Sequence, residues 1–228
     1  KTKVLLLNTP HNPTGKVFSL TELMQIAELA LDHDLLVISD EVYEHLTFDG
    51  AAHIPIATLP GMADRTITIS SGGKTFSFTG WKVGWACARP ALIDAIRSVK
   101  QFLTFVNAAP FQPAIAVGLR LSDDYFTNFA ATLQGKRDRL NEGLVEAGFQ
   151  IYSPRGTYFT TVDIRPLGYD DGREFCLALP ELVGLVAIPS QVFYTNKHEG
   201  KHLVRFAFCK QDSMLDEAVE RLAGLRPS

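Results

Sequence analysis

The hydrophobic positions in the first part of the chain form short apolar runs separated by an amphipathic stretch. Val4–Leu7 and Leu35–Ser39 are apolar runs of strand length, and Thr66–Ser70 alternates threonine with isoleucine. Between the first two runs, apolar residues recur at helical spacing behind a capping-box pattern formed by Ser19 and Glu22. This alternation of strands and helices predicts an α/β fold with a mostly parallel sheet and helices on both faces.

The pattern changes further along the chain, where long helices are followed by several returning strands. The predicted helices are Ala91–Phe102, Gln112–Leu121, Asp124–Ala147 and Ser213–Leu222, and the predicted strands are Val83–Ala88, Phe149–Tyr152, Tyr158–Ile164, Val186–Ile188 and Leu203–Phe208. Helices followed by returning strands are typical of a small α+β domain. We therefore predict a large domain in residues 1–130 and a small C-terminal domain in residues 131–228.

The composition indicates a globular protein and argues against several classes of partner and site. The 228 residues are 46% hydrophobic and 21% charged, which is enough apolar material for a sizeable core. The net charge of −3 gives no electrostatic reason for a nucleic-acid or membrane partner, and no apolar run approaches the ~20 residues of a membrane helix. Three widely spaced cysteines argue against a disulfide framework or a cysteine-based zinc site, so a cytoplasmic protein without a metal is expected.

Four polar features lie at predicted strand ends, in the loops that follow them, or within a strand. Asn12 lies in an Asn-Pro-Thr-Gly turn and Asp40 ends an apolar strand. Lys74 follows Ser71 in a glycine-containing loop, and Arg205 interrupts an apolar strand. Open parallel sheets place ligands at the ends of their strands. Taken singly, these features could also be a turn residue, a helix cap, a solvated lysine and a structural ion pair.

A phosphate-binding loop of the NTPase type does not fit the sequence around Lys74. That motif requires a glycine five positions before the Gly73–Lys74 pair. The residue at that position is Thr68, in the middle of a predicted strand. An NTPase function is therefore not expected.

Taken together, the polar residues resemble the motifs of the fold-type I aminotransferases of class I/II, which depend on pyridoxal 5′-phosphate (PLP). The matching residues are Asn12, Asp40, Tyr43, Ser71, Lys74, Lys82 and Arg205. They lie in the Asn-Pro-Thr-Gly turn of segment 8–15, in Asp-Glu-Val-Tyr at 40–43, in Ser-Gly-Gly-Lys at 71–74, in Gly-Trp-Lys at 80–82 and in segment 202–206. The resemblance runs along the whole chain. It implies that residues 1–130 are part of the PLP-binding large domain and that residues 131–228 form the small domain.

The resemblance implies how this chain would hold the cofactor ring. Lys74 would bind PLP as a Schiff base, and its freed amine would move a proton between the substrate Cα and the cofactor C4′. Asp40 would pair with the pyridine nitrogen and keep it protonated. Tyr43 and Asn12 would hydrogen-bond the ring oxygen O3′.

The resemblance also implies which residues bind the anionic groups. Ser71 and Lys82 would contact the cofactor phosphate, with Lys82 standing where members of the family often carry arginine. Arg205 would bind the substrate α-carboxylate with its planar guanidinium group, and Asn12 would also contact the substrate. The segment 156–159 resembles one that approaches the substrate, and no role is assigned to it.

Further segments, among them 165–171 and 204–210, resemble actinobacterial N-succinyldiaminopimelate aminotransferases. Such an enzyme would transfer an amino group between N-succinyl-LL-2,6-diaminopimelate and 2-oxoglutarate in lysine biosynthesis. The alternatives are a kynurenine- or glutamine-type aminotransferase, a cysteine-conjugate β-lyase and, more remotely, the PLP-sensing domain of a transcription regulator. The implied partners are amino-acid and 2-oxo-acid substrates and a second copy of the protein, in a homodimer with the active site at the subunit interface.

The resemblance covers only the C-terminal portion of such enzymes. We therefore expect these 228 residues alone to be inactive. We also expect them to expose apolar surface on the sheet, where the rest of the large domain would pack.

Overall fold

The chain folds into two compact units. The structure is a computed structural model that describes residues 1–225. The N-terminal unit comprises Lys1–Pro10 and Val17–Asn128, and the C-terminal unit comprises His11–Lys16 and the residues from Phe129 onward. The sequence pattern did not indicate that the short segment His11–Lys16 packs with the second unit. The assignment of residues 1–130 and 131–228 to two domains of the family stays a prediction.

The N-terminal unit is built on a four-stranded sheet. Its strands are β1 (Val4–Asn8), β2 (Leu36–Asp40), β3 (Thr66–Ser71) and β4 (Gly84–Cys87), in the order β1-β2-β3-β4. The first three strands are parallel, and β4 runs antiparallel to β3. The predicted mostly parallel sheet is therefore confirmed. Parallel pairing brings the carboxyl ends of β2 and β3 to one edge, where the predicted site residues follow.

Helices and a buried apolar cluster support this sheet. The helices of the N-terminal unit are α1 (Leu20–Asp32), α2 (Gly72–Thr75), α3 (Pro90–Leu103), α4 (Gln112–Gly118) and the first part of α5 (Asp123–Glu146). Helix α5 continues into the C-terminal unit. The predicted capping box is present, because the backbone amides of Ser19 and Glu22 each donate to the other's side chain. Leu23, Ala27 and Ala30 of α1 pack with Leu7 and Val37 in the core of this unit.

The C-terminal unit contains a separate antiparallel sheet. Its strands are β5 (Gln150–Tyr152), β6 (Phe159–Asp163), β7 (Ile188–Pro189) and β8 (Leu203–Ala207), in the order β5-β6-β8-β7. All neighbouring strands pair antiparallel. The helices that accompany this sheet are α6 (Gly172–Val183) and α7 (Asp212–Leu222). This arrangement confirms the predicted α+β character.

Four elements differ from the sequence prediction by more than one residue. Residues Gly72–Thr75, predicted as part of a glycine-containing loop, form the short helix α2, whose first amides follow directly on β3. Helix α6 was not predicted, because Pro180 interrupts its apolar pattern; its beginning is nevertheless marked by Asp171, whose side chain accepts hydrogen bonds from the first amides of the helix. Helix α4 ends at Gly118 and not at Leu121, consistent with the low helix propensity of glycine. Strand β7 begins at Ile188, two residues later than predicted, because only the residues from there onward pair with β8.

Several large apolar side chains are exposed on the parallel sheet and on the segment that follows it. On the sheet, Leu6 is 74% exposed and Val4 and Ile69 are also exposed. Phe102 and Phe105 are exposed near the end of α3. The predicted exposed apolar surface is therefore present. Within residues 1–225, no helix is long and apolar enough to span a membrane.

Candidate active site

Asp40 lies at the carboxyl edge of the parallel sheet and is held there by its backbone. It is the last residue of β2, and its carbonyl oxygen accepts hydrogen bonds from Nδ2 of Asn8 and from the amide of Thr9, both at 3.0 Å. Its carboxylate accepts the amide of Val42 at 3.3 Å. The carboxylate is therefore fixed at the sheet edge and is only partly buried.

Tyr43 and Lys74 are brought together by the turns that follow β2 and β3. The turn after β2 is closed by hydrogen bonds from the amide of Glu44 to the carbonyl of Glu41 and from the amide of Leu46 to the carbonyl of Tyr43, both at 2.8 Å. Tyr43 is only 2% exposed. Nζ of Lys74 lies 6.0 Å from the centroid of its ring. Two of the predicted site residues therefore lie side by side at the edge of the sheet.

Ser71, Lys74 and Lys82 line one cavity of about 330 Å³, which is completed by Gly73, Thr79, Val83 and Gly84. Antiparallel pairing of β3 with β4 creates this arrangement, because Ser71 lies opposite Gly84 in the sheet. Two ammonium groups and the hydroxyl groups of Ser71 and Thr79 are donors suited to an anion. The cavity therefore has the chemistry expected of a phosphate site.

The backbone of Lys82 has an unusual conformation that a side chain supports. Its φ is +55°, in the left-handed region that few residues other than glycine adopt. Nδ2 of Asn107 donates to its carbonyl oxygen at 2.6 Å, and Nζ of Lys100 donates to Oδ1 of Asn107 at 3.0 Å. Asn107 therefore helps to hold Lys82 at the cavity. Asn107 was not predicted as a site residue, because no local sequence pattern marks it.

Arg205 and Asn12 meet in the C-terminal unit. Nη1 of Arg205 donates to Oδ1 of Asn12 at 2.7 Å. The guanidinium carbon lies 3.9 Å from the ring centroid of Phe159 and 4.9 Å from that of Phe193. Aromatic faces attract a guanidinium and restrict its orientation. Phe159 lies in the segment 156–159, to which the sequence assigned no role, and Phe193 was not predicted as a site residue.

The turn that carries Asn12 is fastened to the C-terminal unit by its backbone. The carbonyl of Pro13 accepts a hydrogen bond from Oγ1 of Thr161, and the carbonyl of Gly15 accepts one from the amide of Arg155. Gly15 has φ +69°, and a Cβ there would lie 2.1 Å from Cβ of Pro154. Glycine is therefore required at this position by both its conformation and the close approach.

Burial keeps two histidines near the site residues from adding positive charge. Burial lowers the pKa of His11, which neighbours Asn12 in the sequence. Burial also lowers the pKa of His45, although the adjacent Glu44 partly offsets the effect. Both rings are therefore neutral near pH 7. The positive charge in the phosphate-like cavity comes from Lys74 and Lys82.

The predicted site residues thus fall into two groups, one in each unit. Asp40, Tyr43, Ser71, Lys74 and Lys82 belong to the N-terminal unit. Asn12 and Arg205 belong to the C-terminal unit. The family model for aminotransferase class I and II matches residues 1–222 of this chain.

The chain belongs to the class I and II aminotransferase family. It is 52% identical to the probable N-succinyldiaminopimelate aminotransferase DapC of Mycobacterium tuberculosis, over 99% of this chain and 59% of that protein. It is 42% identical to a kynurenine–oxoglutarate transaminase of Dictyostelium discoideum, over 99% of this chain and 57% of that protein. The solved structure of the N-succinyldiaminopimelate aminotransferase from Mycobacterium tuberculosis superposes with a TM-score of 0.95 and 54% identity, covering 98% of this chain and 58% of that one.

The family assignment confirms the resemblance found in the sequence, and the superposition confirms the predicted fold class. The chain spans somewhat more than half the length of these relatives. The mostly parallel sheet and the separate antiparallel sheet both lie within the superposed part.

Proposed function

We propose that this chain carries the cofactor-binding lysine and the carboxylate-binding arginine of a PLP-dependent aminotransferase. The observation that carries the proposal is the cavity in which Ser71, Lys74 and Lys82 meet. A lysine amine beside a second ammonium and a hydroxyl suits both the aldehyde and the phosphate of PLP. Membership of the class I and II aminotransferase family supports the same function.

Asp40 and Tyr43 suit the ring of the cofactor. The carboxylate of Asp40, at the end of β2, is the group that pairs with a protonated ring nitrogen. The phenol of Tyr43 stands beside Lys74 and suits the ring oxygen, as does the amide of Asn12. When bound, PLP supplies an electron-accepting ring that stabilises negative charge at the substrate Cα.

Lys74 has two tasks in this proposal. Its Nζ would hold the aldehyde of bound PLP. When freed from the cofactor, the same amine would serve as the base that moves a proton between the substrate Cα and the cofactor C4′. Ser71 and Lys82 would hold the phosphate and so keep the cofactor aligned with Lys74.

Arg205 is proposed to bind the α-carboxylate of the amino-acid or 2-oxo-acid substrate. A planar guanidinium can offer two parallel N–H groups to a carboxylate. Its contacts with the ring of Phe159 and with Oδ1 of Asn12 set the direction of that fork. Asn12 would thus orient the arginine through its oxygen and offer its amide hydrogens to the cofactor or the substrate.

For the substrates we propose N-succinyl-LL-2,6-diaminopimelate and 2-oxoglutarate, in lysine biosynthesis. The support is the 52% identity to the Mycobacterium tuberculosis enzyme, against 42% to the kynurenine transaminase. A kynurenine- or glutamine-type aminotransferase is the second candidate and is favoured by that 42% identity. We further propose that the full-length protein acts as a homodimer.

The cofactor assignment is tested by trapping. The full-length protein, incubated with PLP, is reduced with borohydride and digested, and the modified peptide is identified by mass spectrometry. The label is expected on Lys74. Lys74→Ala should abolish it, whereas Lys3→Ala, at an exposed position, should retain it. Labelling at another lysine would contradict the assignment.

The substrate assignment is tested separately with a panel of amino donors and 2-oxoglutarate. N-succinyl-LL-2,6-diaminopimelate is expected to give the highest kcat/KM, followed by kynurenine and glutamine. A β-lyase would instead release pyruvate from a cysteine conjugate. If succinyl-diaminopimelate reacts no faster than kynurenine, the proposed substrate is wrong, while the cofactor assignment is unaffected.

A further inference from the structure

Buried hydrogen bonds join Ser39, Glu41 and His53, and Glu41 lies in the segment that carries Asp40 and Tyr43. Glu41 is fully buried, and its Oε1 accepts a hydrogen bond from Oγ of Ser39 at 2.7 Å. Its Oε2 lies 2.8 Å from Nε2 of His53, whose side chain is only 8% exposed. Because a carboxylate oxygen accepts hydrogen bonds, Nε2 of His53 is the donor. Both oxygens of the buried carboxylate are therefore occupied.

Glu41 sits in the short segment that bears two proposed cofactor contacts. It follows Asp40 directly and precedes Tyr43 by two positions. Its amide donates to the carbonyl of Ile69 at 2.8 Å, which continues the pairing of β2 with β3 beyond the strand. The main chain and the side chain of Glu41 are thus fixed at once, so Asp40 has little freedom to move at the sheet edge.

A second carboxylate, that of Glu44, holds the end of the same turn by a hydrogen bond. Oε1 of Glu44 accepts a hydrogen bond from Oγ of Ser70 at 2.7 Å. Ser70 immediately precedes Ser71, which lines the phosphate-like cavity. The turn that holds Tyr43 is therefore tied to β2 through Ser39 and to the end of β3 through Ser70.

Hydrogen bonds within the chain account for the arrangement of Glu41, Glu44 and His53. Ligand atoms of Glu41, Glu44 and His53 lie within 4.8 Å of one another, a spacing that could hold a cation. Both oxygens of Glu41 already have protein partners, and Oε1 of Glu44 is taken by Ser70. Satisfied carboxylates of this kind serve to fix a unique arrangement of the chain.

The environment of His53 indicates that its contact with Glu41 is its main task. Within the described residues, Nδ1 of His53 is buried without a hydrogen-bond partner. A buried polar atom without a partner destabilises the fold, so packing alone would favour an apolar side chain at this position. The hydrogen bond that Nε2 of His53 donates to Glu41 is the contact that offsets the cost of burying Nδ1.

We propose that Ser39, Glu41 and His53 are positioning residues for the cofactor ring, acting through Asp40 and Tyr43. This inference rests on the proposed function. None of the three needs to touch the cofactor. Their hydrogen bonds hold the backbone from Asp40 to Tyr43 so that the carboxylate and the phenol meet the ring at fixed positions, as outer hydrogen bonds orient the ligands of a metal.

The test compares His53→Phe with His53→Gln in the full-length protein. Phenylalanine keeps a ring and removes the donor, whereas glutamine restores an N–H donor for Glu41. Three quantities are measured: the dissociation constant of PLP, the visible circular dichroism of the bound cofactor and the melting temperature without cofactor. His53→Phe is expected to weaken PLP binding about tenfold, the size of one lost hydrogen bond to a charged group, and to alter the circular dichroism. His53→Gln should restore most of both.

Arg65 provides a matched control at the opposite end of the same strands. Its Nη1 donates to the carbonyls of Ala30 and Leu35, at 3.2 and 3.0 Å, where β2 begins. Arg65→Met should lower the melting temperature while leaving PLP affinity and circular dichroism unchanged. If His53→Phe behaves in the same way, the proposal is overturned.

If His53→Phe does not fold, Ser39→Ala carries the test, because it removes only one hydroxyl from Glu41; a wild-type PLP affinity and circular dichroism in that variant would overturn the proposal. Failure of the wild-type protein to bind PLP at Lys74 would refute the proposed function instead. The borohydride labelling reads that outcome independently of any change at Ser39 or His53.

Discussion

Nη1 of Arg205 donates a 2.7 Å hydrogen bond to Oδ1 of Asn12, although 193 positions separate the two residues in the sequence. The bond joins the middle of β8 to a turn near the beginning of the chain. The ring of Phe159 faces the same guanidinium at 3.9 Å. One edge of the arginine is therefore held by an amide and one face by an aromatic ring, which sets the direction of its remaining N–H groups.

This geometry predicts that lysine cannot replace Arg205. Arg205→Lys keeps the charge but loses the planar fork, so KM for both the amino donor and the 2-oxo acid should rise by about 10- to 100-fold, the size of a lost charge-assisted hydrogen bond. Steady-state kinetics of the full-length protein measure this. Arg97→Lys, at an exposed position, is the matched control and should leave KM unchanged. An unchanged KM in Arg205→Lys would contradict the proposed role.

The sequence predicted the site residues whose signal is local. Asp40 ends an apolar run, and Lys74 follows a strand and a pair of glycines. Each of these features depends on a few neighbouring residues, and parallel pairing then brings the strand ends to one edge. The contacts of Asn12 with Arg205 and of Asn107 with Lys82 join distant parts of the chain, so no local pattern revealed them.

The sequence predicted most of the fold for the same reason. The capping box at Ser19 and the apolar run before Asp40 are read within a few residues. Helix α6 was missed because Pro180 disrupts the apolar periodicity, although tertiary packing buries Phe175 and Leu179 fully. The beginning of β7 was misplaced because pairing with β8 alone decides where the strand begins. Tertiary context overrides local preference in both cases.

Lys82 should contribute to cofactor binding mainly through the phosphate. In Lys82→Met, PLP affinity is expected to fall about tenfold, while affinity for pyridoxal, which lacks the phosphate, should change little. Titrating the full-length protein with both compounds gives the ratio of the two dissociation constants. Lys3→Met, at an exposed position, controls for the loss of one positive charge. Equal losses for PLP and pyridoxal would place Lys82 away from the phosphate.

The three cysteines should differ in reactivity. Cys87 and Cys209 are exposed, whereas burial raises the pKa of the Cys176 thiol to about 12. Because the thiolate is the reactive form, a thiol reagent at pH 8 should modify Cys87 and Cys209 first and Cys176 much more slowly. Mass spectrometry of peptides from a time course measures the order. Cys176→Ala should leave the fast phase unchanged; a fast phase that vanishes in this variant would contradict the prediction.

Asp163 should make the stability of the protein depend on pH in the acidic range. Burial alone would raise the pKa of its carboxyl group, but hydrogen bonds from Arg165 and the charges of His202 and Arg165 outweigh burial and lower it below 3.8. A carboxyl whose pKa is lower in the folded state stabilises that state above the unfolded pKa. This contribution is lost as the pH falls through the pKa of the folded state, because the carboxyl group is then protonated in both the folded and the unfolded chain.

Asp163→Asn should therefore lower the free energy of unfolding at pH 7, and its deficit against wild type should shrink as the pH falls below about 4. Urea unfolding of the full-length protein between pH 7 and pH 3 measures both curves. Asp64→Asn, at an exposed position, controls for the removal of one negative charge. A deficit that stays constant over this range would mean that Asp163 acts through packing in β6 and not through its charge, since packing does not depend on protonation.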